Sequence, residues 1–178
     1  MKTLKMKLIK KLVYTSVIML WFALSAGVFY REFTKFELKN VPADKALIAT
    51  EFIRLVHGHT ITFGFLIPLG FALMLILIPE VNEKTYRSFL SAFWTYIIGA
   101  AGAILLLLWK GIDYVRFFAS DPSITLDKVE SMLFGGSKAL RASLYGIFHL
   151  AFGIGLIWLS IIVLKNLKSE YQTEGTEQ

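Results

Sequence analysis

The chain has 178 residues, of which 56% are hydrophobic and only 18% charged, a balance too apolar for an ordinary soluble domain of this size. Its net charge of +6 includes Lys2, Lys5, Lys7, Lys10 and Lys11; the cations flank apolar runs instead of forming a basic face, which argues against nucleic acid and for anionic lipid as the partner. The absence of cysteine excludes disulfides, thiolate zinc sites, iron–sulfur clusters and covalent c-type haem, so any metal must be held by His, Met, carboxylate or Tyr.

Four apolar runs follow in order. The first covers about residues 12–30. It is longer than the apolar core of a signal peptide, and Leu24-Ser25-Ala26 is a poor cleavage site, so a retained helix is expected. The second covers about 52–78 and is closed by Pro79. Pro68 within it has no N–H for the Gly64 carbonyl, which predicts a local irregularity. The third covers about 89–109 and the fourth about 142–164. At about 1.5 Å per residue each is long enough to cross a hydrocarbon core about 30 Å thick. The expected fold class is therefore all-α, an integral membrane four-helix bundle forming a single domain over 1–178.

The connections differ in kind. Residues 80–88 form a short turn that makes spans two and three an antiparallel pair. Residues 31–51 and 110–141 are read as longer loops on the opposite face. In the second of these, Ser120-Asp121-Pro122-Ser123 is a break. Ile124, Leu126, Val129, Met132 and Leu133 then suggest a short amphipathic interfacial helix, followed by a turn at Gly135-Gly136. The tail from Ser169 onward is polar and expected to be disordered. With the N-terminus inside, the inner face holds nine Lys/Arg and the outer face ten. The dense lysine cluster before span one decides for both termini on the cytoplasmic side, in a multi-pass protein of the bacterial cytoplasmic membrane.

The spans hold no Asp or Glu in their cores, which argues against carboxylate relays, and their Ser and Thr residues are isolated, with no nucleophile–base set. Trp21, Trp94, Trp109, Trp158 and the tyrosines are read as packing and interface anchors. What stands out is histidine. His57 and His59 lie one to two turns into span two, and His149 about two turns into span four. Both helices run the same way, so the three rings sit at similar depth. Neutral imidazole is a common ligand for haem and other transition metals.

Three readings are open: hydrogen bonding between helices, a haem b held by one histidine from each helix, and a non-haem metal site. His57 and His59 point about 200° apart on a helix, which opposes a three-histidine zinc site. His57 shares its face with Ile61 and Gly64, and His149 with Gly146 and Gly153. A glycine beside a histidine leaves a flat slot for a macrocycle, or merely permits close helix packing. The pair favoured as metal ligands is His57 with His149, with His59 as the alternative to His57; otherwise His59 hydrogen-bonds in the bundle or binds a second metal. Arg31, Arg54 and Arg141 lie at the same level, suited either to haem propionates or to the headgroups and Glu32 and Glu51.

Gly27-Val28-Phe29-Tyr30-Arg31-Glu32-Phe33-Thr34-Lys35, His57-Gly58-His59 and Gly146-Ile147-Phe148-His149 resemble the motifs of a family of small four-helix bacterial membrane proteins of unknown function. That family has His-Thr-His where this chain has Gly58 between the histidines. The resemblance covers most of the chain and implies the fold without an activity. Arg54-Leu55-Val56-His57-Gly58-His59 also looks like one helix of the haem–copper oxidase and nitric oxide reductase catalytic subunit. That likeness implies His57 as a haem ligand and no reductase activity, since the copper-site histidines have no counterparts. The functional expectation is binding more than catalysis. It is a b-type haem or related metal between spans two and four, serving electron transfer or sensing, with the lipid bilayer and an unspecified redox or membrane-complex partner. The alternatives are an accessory protein whose histidines only tie helices together and, less well supported, a small transporter subunit.

Overall fold

The computed structural model describes residues 2–78 and 80–174, all of them in helices or short connections. Helix α1 spans Lys2–Glu37. Helix α2, Ala43–His59, passes into a π-helical segment, Thr60–Leu66, and then into α3, Ile67–Leu77; together these make one continuous second rod. Helix α4 spans Glu83–Ser120, α5 Leu126–Met132, and α6 Lys138–Glu174. A 3-10 turn at Leu133–Gly136 joins the last two.

Four rods among the described residues are long and apolar enough to cross a membrane. Only 17% of the most apolar window of α1, and of α6, is buried by protein. Ile18, Val28, Leu73, Leu105, Leu150 and Leu164 are all exposed. Packing inside the chain therefore accounts for little of this hydrophobicity, and an apolar surface this extensive marks a face suited to lipid or to another protein.

Each predicted apolar run lies inside a longer helix, so the loops are shorter than the sequence suggests. The expected loop 31–51 shrinks to 38–42, because α1 continues to Glu37 and α2 begins right after Pro42, with Asp44 in its first turn. The helix dipole favours an acid there, and proline suits the start of a helix. The expected loop 110–141 loses its first part to α4, where Gly111, Tyr114, Val115 and Phe118 repeat at helical spacing and are buried. Val129 and Leu133 of the short interfacial segment pack into the same cluster, whereas Leu126 stays exposed. The turn at Gly135-Gly136 has φ of 66° and 82°, and Phe134 before it sits at φ 54°. That strained residue is held by burial and by its ring against Trp109, 4.8 Å away. Helix α6 extends to Glu174, into the segment from Ser169 expected to be disordered; the rest of that segment, 175–178, lies outside the described residues.

Helix α4 is the centre of the bundle, flanked by α6 on one side and α2 on the other, while α1 packs along α2, the π segment and α3. Backbones approach closely at three glycines of these contacts. A Cβ on Gly99 would lie 2.2 Å from the Phe152 nitrogen, one on Gly155 2.3 Å from the Tyr96 nitrogen, and one on Gly111 2.6 Å from the Ile53 nitrogen. Small residues serve this purpose in membrane bundles generally. Apolar cores close each end. Leu8, Leu12, Leu75, Phe89, Phe93 and Leu159 fill the end that carries the N-terminus, and Ile53, Tyr114, Val115, Phe118 and Leu133 fill the other.

The irregularity predicted near Pro68 is the π segment, and its register moves the orphan carbonyl. In that segment the Ile67 N–H donates to the Thr62 carbonyl, five residues back. The next bond of that register would join the Phe63 carbonyl to residue 68, and proline has no N–H to give. The buried Tyr96 of α4 supplies the missing donor: its hydroxyl donates to the Phe63 carbonyl. Thr60, fully buried at the start of the segment, donates its hydroxyl to the Val56 carbonyl at 2.7 Å.

Candidate histidine site

The three histidines fall into two environments. His57 turns toward α1, and its Nδ1–H donates to the Ala23 carbonyl at 2.8 Å. A carbonyl only accepts, so the proton is on Nδ1. The ring fits because residue 27 is glycine: a Cβ there would stand 3.0 Å from His57 Nδ1 and 3.3 Å from Cε1. Gly27 opens the Gly-Val-Phe-Tyr-Arg-Glu-Phe-Thr-Lys motif and His57 opens the His-Gly-His motif, so the two motifs meet at one contact. Gly64, expected to leave a slot on the His57 face, faces the Met19 side chain instead; an added Cβ would meet it at 2.6 Å. That face is filled by α1, and His57 does not look toward span four.

His59 and His149 behave alike and differently from His57. His59 Nδ1–H donates to the Leu55 carbonyl at 2.9 Å, and His149 Nδ1–H to the Tyr145 carbonyl at 2.8 Å. Each bond stays within its own helix, four residues back. It fixes the ring and leaves Nε2 as the unprotonated nitrogen in the neutral form. His59 rests edge-on against Phe63, with ring centres 5.3 Å apart, and Phe63 meets Phe152 of α6 at 4.9 Å. His149 lies one turn before Phe152. The two histidines therefore sit on spans two and four one turn from the same interhelical aromatic contact, on its same side. On the far side of that contact, Leu66, Ile67, Gly70, Phe71 and Met74 face Leu156 across an apolar cleft of about 310 Å³. Gly146 and Gly153, which flank His149, have open space where a Cβ would point. His149 itself is exposed.

Among the described residues no group of three or more His, Asp or Glu side chains is placed to hold a metal ion. The three arginines expected near the histidines each face a carboxylate. Arg31 lies 3.7 Å from Glu32 and Arg54 2.7 Å from Glu51, both at exposed positions. Arg141 NH1 donates to Glu130 Oε2 at 2.6 Å and to the Glu130 carbonyl at 3.1 Å.

That last pair belongs to a cluster that sequence reasoning missed. Glu130 of α5 also takes the Lys110 ammonium at 2.8 Å and the Tyr114 hydroxyl of α4. Lys110 lies over the Phe52 ring at 3.9 Å from its centre, a cation–π contact. Burial pushes the Glu130 carboxyl upward, but hydrogen bonds from Lys110 and Tyr114 and the charges of Lys110 and Arg141 outweigh it and hold it below the usual range. The cluster ties α5 to α2, α4 and α6. The only hint in the sequence was an acid at position 130 in a segment otherwise read for its apolar face.

No curated protein and no solved structure matches the chain, and the one-helix likeness to the haem–copper oxidase subunit gains no support. The four-helix fold and the meeting of its two motifs agree with the family resemblance, and residues 9–166 match the family model described as "Protein of unknown function (DUF2871)", so the chain belongs to that family.

Proposed function

We propose that this is a multi-pass protein of the bacterial cytoplasmic membrane that binds a b-type haem between spans two and four, with His59 and His149 as ligands, for electron transfer or sensing. One observation carries the reading. Two imidazoles from different spans flank the same side of the Phe63–Phe152 contact, each oriented through Nδ1 by its own helix. A ligating histidine usually donates its other N–H to a carbonyl or carboxylate, which sets the tautomer and the ring plane. An exposed histidine on a lipid-facing helix is otherwise costly, and the intrahelical bond of His149 ties no helices together. The accessory alternative explains His57 well, since its bond joins α2 to α1. It leaves His59 and His149 without a purpose.

The pair departs from His57 with His149, because the His57 ring is turned to Ala23. Haem would supply the redox or gas-binding centre; the chain would supply two oriented imidazole nitrogens beside the Phe63–Phe152 contact. The three arginines carry no part of this reading, since each already faces a carboxylate.

An absorption spectrum of the dithionite-reduced protein, purified from haem-replete cells, tests it. A Soret band with sharp α and β bands is expected, lost in His59→Ala and in His149→Ala and retained in His57→Ala. A colourless protein overturns the proposal. Loss of the bands in His57→Ala, with both other variants still coloured, would instead return the ligand role to His57.

A further inference from the structure

The end of the bundle that carries the N-terminus holds a second feature, independent of the haem assignment. The first turns of α4 and the last apolar turns of α6 enclose a groove of about 330 Å³, with Lys84, Thr85 and Ser88 on one wall and Trp158, Ile161 and Lys165 on the other. The walls are joined where the Trp158 indole N–H donates to the Ser88 hydroxyl oxygen at 3.2 Å. The groove is graded along its length. Lys84 and Lys165 stand at its outer rim, and Ile161 and Trp158 lie about one and two turns deeper along α6.

Three other cations at this end are occupied. Lys5 donates to the Ile76 and Ile78 carbonyls at 3.0 and 2.5 Å and so closes the end of α3. Lys11 lies over the Trp94 ring at 5.2 Å. Arg87 pairs with Glu83 at 2.9 Å. Lys84 and Lys165 make no ion pair with any described residue.

We infer that this groove binds an anionic phospholipid of the leaflet facing the N-terminal end, its phosphate between Lys84 and Lys165 and an acyl chain along Ile161 and Trp158. Basic pockets between membrane helices recognise anionic headgroups in this way, and an indole at the interface suits one wet edge and one apolar face. A free phosphate would use the lysines and leave the apolar wall idle, which is why the lipid is the better fit.

The test is quenching of Trp158 by brominated lipid. The full-length protein, with Trp21, Trp94 and Trp109 changed to Phe, is reconstituted into phosphatidylcholine bilayers. Dibrominated phosphatidylglycerol or dibrominated phosphatidylcholine is then titrated in. Half-maximal quenching is expected at a several-fold lower fraction of the anionic lipid. Lys84→Gln and Lys165→Gln should each reduce that preference about two-fold or more, and Lys7→Gln, on the same end but outside the groove, should not change it. Equal quenching by the two lipids overturns the inference. So does loss of the preference in excess inorganic phosphate, which would make the site one for the free anion. If the single-tryptophan protein does not reconstitute, native mass spectrometry of the unaltered chain replaces it. One phosphatidylglycerol adduct should be retained and then lost in the double lysine variant; an unchanged adduct count overturns the inference.

Discussion

His57 shows how one ring can hold two helices while a near neighbour does something else. Its bond to the Ala23 carbonyl and its fit over Gly27 make it a tie between α2 and α1. Interhelical hydrogen bonds in membranes are worth about 0.6 kcal/mol on average and up to about 2 kcal/mol. Gly27→Ala would place a methyl group 3.0 Å from His57 Nδ1, so the ring must give way by a few tenths of an ångström, which strains its bond to the carbonyl. We expect Gly27→Ala and His57→Ala each to lower stability by about 1 kcal/mol, and the double variant to cost little more than either alone. Unfolding in detergent, followed by circular dichroism, checks this; additive losses would mean the two residues act separately. Two of the three histidines were correctly expected to face different ways from their two-residue spacing. Which of them faced span four was not legible, because rotation about the helix axis is set by packing with α1, and no residue within span two specifies it.

The second rod depends on a donor from another helix. Tyr96→Phe would leave the Phe63 carbonyl unserved in an apolar interior, at a cost of about 1–3 kcal/mol. Pro68→Ala offers a backbone N–H in the proline's place, so the same Tyr96 change should cost much less in that background. A double-mutant cycle reads this directly, and equal costs in both backgrounds would reject the π-register account. The proline announced an irregularity in the sequence. The shift of the orphan from Gly64 to Phe63, and the tyrosine that answers it thirty-three residues away, appear only once the helices are packed.

Helix α5 is held by charge as much as by burial. Glu130→Gln leaves Lys110 and Arg141 without their carboxylate, and a loss of about 1–3 kcal/mol is expected, between exposed and buried ion pairs. The Glu130 carboxyl is depressed below its ordinary 4.5 in the folded chain. Its contribution is therefore complete above that value and disappears as pH falls through the folded value beneath it. Thermal unfolding measured from neutral pH downward should show a steeper acid loss in the native chain than in Glu130→Gln. Parallel curves would mean that the cluster does not stabilise the fold.

For the molecule as a whole, four membrane-length rods put both ends of the chain on one side of any membrane they cross. On the proposed orientation, the lysine cluster at the N-terminal end places that side in the cytoplasm. The chain contains no cysteine, so single replacements report cleanly. Ser123→Cys, in the exposed turn before α5, should react with a membrane-impermeant maleimide in intact cells. Lys84→Cys, at the opposite end, should react only after lysis; the reverse pattern would invert the orientation.

Composition and the length of the apolar runs were enough to dictate four helices, because a stretch this apolar has few other ways to satisfy its backbone in lipid. The helix motifs likewise announced the family before any packing was known. Tertiary structure alone decided what lies between the helices. It placed α4 at the centre, turned His57 onto Gly27, set His59 and His149 on the same side of an aromatic contact, and gathered Lys110, Tyr114 and Arg141 around Glu130. Those outcomes depend on helix rotation and on partners distant in the chain, and apolar periodicity leaves rotation weakly specified when lipid and protein interior are equally apolar.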